Sequence, residues 1–393
     1  MNVDLVLHRD DSKIICDRPL FVAQPLMPDL DALTALLRDV WASKIVTNEG
    51  PLHDKLEQAL AQHLEVPVAK LFCNGTAALQ CGLLSLDLPS GSEVITTPLT
   101  FAATAHAIKA CGLKPVFADV DEATLTLDPA SVKHAITEKT SAVMGVHVYG
   151  TLCDNAALQE LCDLHGLKLI FDAAHAFGAS CDGTPVGLMG DISVFSLHAT
   201  KLFTTFEGGL ITTRHTALAR RIKMVRNFGI ESEEAVSLVG INGKMNELNA
   251  AVGLCNLEIF GSEVAARQEL RARYDAIVET MPGLKHQILQ KGVVQSEQYY
   301  MLTVDPSLYG ATRDDIYEGL KSKNIFSRRY FWPICTDFDC YRDWPIASVH
   351  DVPVVNSIKD RVLCLPFHSG VLAYHIEIIA EVLAELAGVT RKT

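Results

Sequence analysis

Between residues 68 and 215, short apolar runs rich in β-branched side chains take turns with amphipathic stretches, and this alternation limits the fold more than any other feature. The runs are EVITT (93–97), KPVFADV (114–120), SAVMGVHVYG (141–150), LKLIFD (167–172), ISVFSL (192–197) and GLITT (209–213). They are too continuously apolar for a sheet with one wet face, which would alternate polar and apolar positions. Between several of them lie TAALQCGLLSL (76–86), FAATAHAIKACG (101–112) and NAALQELCDLHG (155–166), with apolar residues at helical spacing. Gly112 and Gly166 stand where a helix C-terminus favours a left-handed residue. The pattern predicts an α/β fold, a mostly parallel sheet covered by helices on both faces.

On either side of this region the pattern changes. DLDALTALLRDVWASK (29–44) and PLHDKLEQALAQHL (51–64) read as helices packed on the domain that follows. A long helical pattern over 245–281, ending at MPG, forms a natural bridge to a second domain. That domain mixes a strand at YYMLTVD (299–305) with helices at TRDDIYEGLKSKN (312–324) and 373–387. The expected division is a large domain, 1–250, with the N-terminal helices, and a smaller C-terminal α/β domain, 251–393, entered by the long helix.

Composition narrows the function. With 34 basic and 47 acidic residues the net charge is −13, which repels a phosphate backbone and argues against nucleic acid as a partner. A local pocket can still be positive and take a nucleotide-like ligand. No apolar run approaches the roughly 18 residues that span a bilayer. The opening MNVDLVLHRDDSKIICDRP lacks the apolar stretch of a signal peptide, so a cytoplasmic protein is expected. Eleven scattered cysteines with no C-x-x-C pair read as small buried hydrophobes in a reducing compartment. His147, His165 and His350 lack helical ligand spacing with a second strong ligand, so no metal site is expected.

Three segments carry chemistry, and each has a plain structural explanation beside the functional one. In CNGTAAL (73–79), Gly75 permits close backbone approach and Thr76 offers a hydroxyl beside free helical N–H groups, which together make a phosphate cradle. A capped helix alone would use the same residues. In FDAAHA (171–176), Asp172 ends an apolar strand, where a carboxylate needs a partner; a pyridinium nitrogen would be one, and an N-cap would be the other explanation. In FSLHATKLFTTFEGG (195–209), Lys201 sits among small, hydroxyl and aromatic residues, which lowers an amine's pKa and makes it a nucleophile toward an aldehyde. Ser196 and Thr200 add hydroxyl donors there, although an arbitrary lysine is usually a surface residue.

The order of these features is more telling than any one. A Gly-Thr turn, a strand-end Asp and a Lys 29 positions later (201 − 172) form the arrangement of fold-type I pyridoxal-phosphate (PLP) enzymes. Nine segments then follow one family's order: TNEGP (47–51), NGTAAL (74–79), TFAATAHAI (100–108), PVFADVD (115–121), DAAHAFGA (172–179), FSLHATK (195–201), FEGG (206–209), NGKMNELNAAVG (242–253) and LPFH (365–368). Over almost its whole length the chain resembles the DegT/DnrJ/EryC1/StrS family of nucleotide-sugar aminotransferases.

The resemblance implies the aspartate-aminotransferase-like fold, with a mostly parallel seven-stranded sheet in the large domain. It implies that Lys201 carries the cofactor as a Schiff base and then moves the substrate proton. It places Asp172 at the ring nitrogen, His175 near the ring hydroxyl, Phe101 stacked on the ring, and Gly75, Thr76 and Ser196 at the phosphate. Asn242 would reach the phosphate of the neighbouring subunit in a homodimer with shared sites. The implied reaction passes an amino group from glutamate to a nucleotide-linked keto-sugar with ping-pong kinetics. HATK followed by FEGG is similar to the C4-specific members and suggests a dTDP-4-keto-6-deoxyhexose. A C3-specific enzyme, a sugar dehydratase and a non-catalytic regulator on the same fold are the alternatives. Lys244 stands where the family usually has arginine, which removes a guanidinium fork. Arg329, in SRRYFWPI (327–334), reads as a structural or dimer-edge residue.

Overall fold

The computed structural model describes residues 15–342 and 352–388. The first fourteen residues of the opening segment and His350 lie outside the described residues.

Seven strands make the central sheet, in the spatial order Val68–Phe72, Gly209–Thr213, Ile192–Ser196, Lys168–Asp172, Thr140–Val146, Glu93–Thr96 and Lys114–Phe117. All six apolar runs of the sequence contribute a strand. The seventh, Val68–Phe72, was not among those runs, because VAKLF is interrupted by Lys70. Gly209–Thr213 runs antiparallel to both its neighbours, while the other pairs are parallel. The reason lies in the connection. No helix intervenes between Ser196 and Gly209, so the chain turns back beside the strand it has just left.

Helices Gly75–Ser85, Ala102–Ala110, Pro129–Ala135 and Asn155–His165 alternate with the parallel strands. Gly166 caps the last of these with φ 66°, and Gly112 follows its helix with φ 74°. Both angles lie in the left-handed region, where the absence of a Cβ removes the strain. One core packs the sheet against the N-terminal helices Leu30–Ser43 and Pro51–His63.

The helix Glu247–Val278 opens on Asn246, whose side chain accepts the Asn249 N–H. Its first half gives Ala250, Ala251, Leu254 and Phe260 to the core of the sheet. Its second half gives Leu270, Tyr274 and Val278 to another core, around the antiparallel strands Leu284–His286, Tyr300–Val304 and Val362–Leu365. Helices Arg313–Ser322 and Ala373–Leu386 pack on that second sheet. Leu20–Phe21 also joins this side of the molecule, pairing with Ile325–Phe326. At the start of helix Pro51–His63, on the side of the first core, the Glu247 carboxylate accepts the N–H groups of Leu52 and His53 at 2.8 Å each, a negative charge on a helix N-terminus.

Candidate active site

The strands Lys168–Asp172 and Ile192–Ser196 are adjacent and parallel, so their carboxyl ends open on one crevice with the starts of helices Gly75–Ser85 and Ala102–Ala110. A cavity of about 380 Å³ lies there, lined by Gly75, Thr76, Phe101, Asp172, His175, Ser196 and Lys201. These are seven of the eight expected site residues. Asn242 is not among the lining residues; it is exposed, on a segment bridged to Asn227.

At one part of the cavity the Asn74 side chain caps the helix, accepting the Ala77 N–H at 2.8 Å. A Cβ on Gly75 would stand 3.1 Å from Ser196 Cβ, so glycine lets the helix start abut the strand end. The capping explanation and the phosphate-cradle explanation are therefore both served by one turn. Asn74 takes the Ala77 N–H, and Gly75, Thr76 and Ser196 still face the cavity.

Asp172 is buried. Thr104 donates its hydroxyl to Oδ2 at 2.8 Å, and the Ala174 N–H donates to Oδ1 at 3.1 Å. Thr100 pairs with Thr104 at 2.8 Å across the first turn of the helix. Burial nevertheless raises the Asp172 pKa, against the lowering effect of those two donors and of Lys201. Burial likewise pushes the Lys201 amine down to about 8, with Asp172 opposing. Each charge is thus costly and only partly compensated.

The loop that carries Lys201 is held by Gln298, just ahead of strand Tyr300–Val304. Gln298 accepts the Leu202 N–H at 2.7 Å and donates to the Thr200 carbonyl at 3.2 Å. His198 accepts the Thr200 N–H on Nδ1 at 3.2 Å, and its Nε2 faces Glu207 at 3.7 Å. His175 is stacked on Phe331, centroids 5.5 Å apart and planes at 6°, with Tyr299 edge-on at 5.1 Å. Burial first, then Lys201 and His147, hold its pKa well below the ordinary histidine value. It is a neutral ring.

Sequence reasoning missed Thr104, Gln298, Arg328, Tyr330 and Phe331. The threonines of TFAAT, one just before the helix N-cap and one in its first turn, could have pointed to Thr104. No local signal marks Gln298, whose partners are almost a hundred residues away. Arg329, read from the sequence as a structural or dimer-edge residue, has its Nε 3.0 Å from Asp314 and its guanidinium 4.0 Å from the Tyr317 centroid. Lys244 donates to Asn227 Oδ1 at 2.7 Å and lies 4.9 Å from the Phe228 ring centroid, with no fork.

This fold is that of the fold-type I transferases of PLP chemistry. The chain belongs to the DegT/DnrJ/EryC1/StrS aminotransferase family, which matches residues 30–384. It is 40% identical over 370 residues to a dTDP-4-amino-4,6-dideoxy-D-glucose transaminase of Shigella dysenteriae, covering 94% of this chain and 100% of that protein. It is 32% identical to a GDP-perosamine synthase of Vibrio cholerae, covering 85% of this chain and 90% of that one. Among solved structures, DesI in the presence of its TDP-sugar product superposes with a TM-score of 0.90 at 37% identity, covering 96% of this chain and 95% of that one. No helix among the described residues is long and apolar enough to cross a membrane.

Proposed function

We propose that this aminotransferase binds PLP through Lys201 and moves an amino group from glutamate to C4 of a dTDP-linked 4-keto-6-deoxyhexose. The observation that carries the reading is that half-buried Lys201 and buried Asp172 line one cavity with the Gly75–Thr76 turn. The likeness to transaminases that make a 4-amino-4,6-dideoxy sugar supports the acceptor.

Two features fit the cofactor. The missing Cβ of Gly75 leaves a turn whose N–H groups and Thr76 hydroxyl suit a phosphate. The buried Nδ1 of His175 has no hydrogen-bond partner among the described residues, as expected of a donor or acceptor meant for a ligand. Gly75, Thr76 and Ser196 would hold the phosphate, Asp172 the ring nitrogen, His175 the ring hydroxyl, and Phe101, 61% exposed, one face of the ring. When bound, PLP supplies an electron sink next to the carbon that gains or loses the amine.

The protein's own residues do the rest. Asp172, fixed by Thr104 and Ala174, presents a carboxylate whose burial cost is relieved by a cationic partner. Lys201, with a pKa of about 8, holds or releases a proton near neutrality and serves as the base that moves it. The aromatic wall of Tyr299, Tyr330 and Phe331 excludes water from that transfer. Asn242, exposed and outside the cavity, is proposed to complete the site of a second subunit in a homodimer.

The test is direct. Purified protein should be yellow, absorbing near about 410 nm with cofactor bound, and L-glutamate should bleach it. Bleached enzyme should recover its colour with dTDP-4-keto-6-deoxyglucose. A preparation that stays colourless with added PLP, or one that aminates a 3-keto sugar nucleotide and leaves the 4-keto compound untouched, would overturn the reading.

A further inference from the structure

A residue has two soft backbone dihedrals between two planar peptide groups, so holding both groups fixes the direction of its side chain. At Lys201 the peptide on one side offers the Thr200 carbonyl, and the peptide on the other offers the Leu202 N–H. One side chain takes both. The Gln298 amide accepts the Leu202 N–H at 2.7 Å and donates to the Thr200 carbonyl at 3.2 Å. A carboxamide carries a donor and an acceptor on one rigid plane, which is what spanning two such groups requires. Gln298 is 3% exposed, so water does not compete for either bond. Further along the same loop the Thr204 and Thr205 carbonyls are taken by other residues, Asn256 at 2.9 Å and Asn249 at 2.7 Å.

The clamp is itself anchored. Arg267 donates to the Glu297 carbonyl at 3.0 Å and to the Gln298 carbonyl at 3.3 Å, and Arg271 donates to the Glu297 carboxylate at 2.8 Å. The two arginines stand one turn apart on helix Glu247–Val278, so the bonds around Lys201 are referred to the long helix. Gln298 is not among the residues that line the cavity, and its effect on chemistry must pass through Lys201. We propose that Gln298 is a positioning residue, which aims the Lys201 amine at the reacting carbon by holding both flanking peptides. The inference rests on the reading of Lys201 as the base of a transamination. Gln290 offers a control, because it makes the same two-headed contact elsewhere: it takes the N–H and the carbonyl of Leu152 at 2.8 Å each, outside the cavity lining.

Holoenzyme variants Gln298→Met, Gln298→Asn and Gln290→Met are compared with wild type in single-turnover bleaching by L-glutamate. They are compared again, loaded with pyridoxamine phosphate, in colour recovery with dTDP-4-keto-6-deoxyglucose. Gln298→Met should lower the limiting rates of both half-reactions alike, by at least about tenfold, since misplacement by about 1 Å can cost about 10²-fold. The half-saturating concentrations of both substrates should stay within about threefold, because positioning of the base acts on the rate and not on binding. Gln298→Asn keeps the amide on a shorter stem and should fall between; it decides the matter by the same comparison if Gln298→Met does not fold. Gln290→Met should leave both rates within about threefold. Hydrogen exchange at the Leu202 amide should be at least about tenfold faster in Gln298→Met and unchanged in Gln290→Met. A loss confined to one half-reaction, an equal loss in Gln290→Met, wild-type rates in both Gln298 variants, or unchanged exchange at Leu202 overturns the proposal. Failure of the transamination reading is distinguishable, because wild-type enzyme would then not be bleached by glutamate at all.

Discussion

Two clusters of opposite charge lie against the seven-stranded sheet, and they are built to opposite ends. Arg226 is enclosed near helix Pro51–His63. It donates to Glu57 at 2.7 Å, to Glu49 at 2.6 Å and to the Leu71 carbonyl at 2.7 Å. Glu57 also takes the Lys70 amine and, at 3.0 Å, the Leu71 N–H. Burial pushes the Glu57 pKa up, but Arg226, Lys70 and His53 together outweigh it and the net shift is down. At Lys201 and Asp172 the same ingredients give the reverse result. Asp172 has two neutral donors and one cation, burial wins, and both members of the pair are shifted toward their neutral forms. The comparison teaches that the number of partners per charge decides whether a buried pair serves stability or reactivity. His53, Asp54 and Glu57 have ligand atoms close enough together to suggest a metal, yet Arg226 and Lys70 already supply the cations that Glu57 faces.

The sharpest way to break the contrast is to remove the cation from each cluster. Lys201→Ala should lower turnover by at least about 10³-fold, the scale of a lost acid–base group. Its urea midpoint should not fall, because an amine whose charge is disfavoured by partial burial is gone; a large drop would show that the residue is structural. Arg226→Met should do the opposite. Leaving Glu57 buried without its guanidinium, beside a half-buried Glu49, should cost about 3–5 kcal/mol of stability in urea unfolding. A variant as stable as wild type would contradict the structural assignment.

A smaller change sharpens the site's half of the comparison. Thr104→Val removes one of the two donors on Asp172 and should weaken PLP binding by about tenfold, measured by titrating the apoprotein. Unchanged affinity would mean that Thr104 does not prepare the carboxylate. The smallest effects are those of pH. Lys201 loses its proton above about 8, so cofactor capture by the apoprotein should rise with pH and level off beyond that value. The glutamates of the other cluster shift the other way. Glu49 and Glu57 are held below the ordinary glutamate value of 4.5, so their contribution to stability is complete above it and is lost as the pH falls below it through their lower folded values. The loss on acidification should be steeper in wild type than in Arg226→Met.

The sequence by itself determined the alternation of strands and helices, the left-handed glycines at helix ends, and the residues Gly75, Thr76, Asp172, Ser196 and Lys201 that one cavity brings together. These were legible because periodicity, capping and strand ends are local: each is written within a dozen neighbouring residues. Only the tertiary structure decided that VAKLF is a strand, that Gly209–Thr213 runs antiparallel, and that Arg328 lines the cavity while Arg329 is engaged elsewhere. Only it, too, shows Gln298 bracing the Lys201 loop and Arg226 answering Glu57, partners 96 positions apart at Leu202 and 169 apart at Glu57. The physical reason is that a hydrogen bond or an ion pair depends on distance in space. A sequence pattern records what a residue prefers, whereas the folded chain fixes which distant group is there to satisfy it.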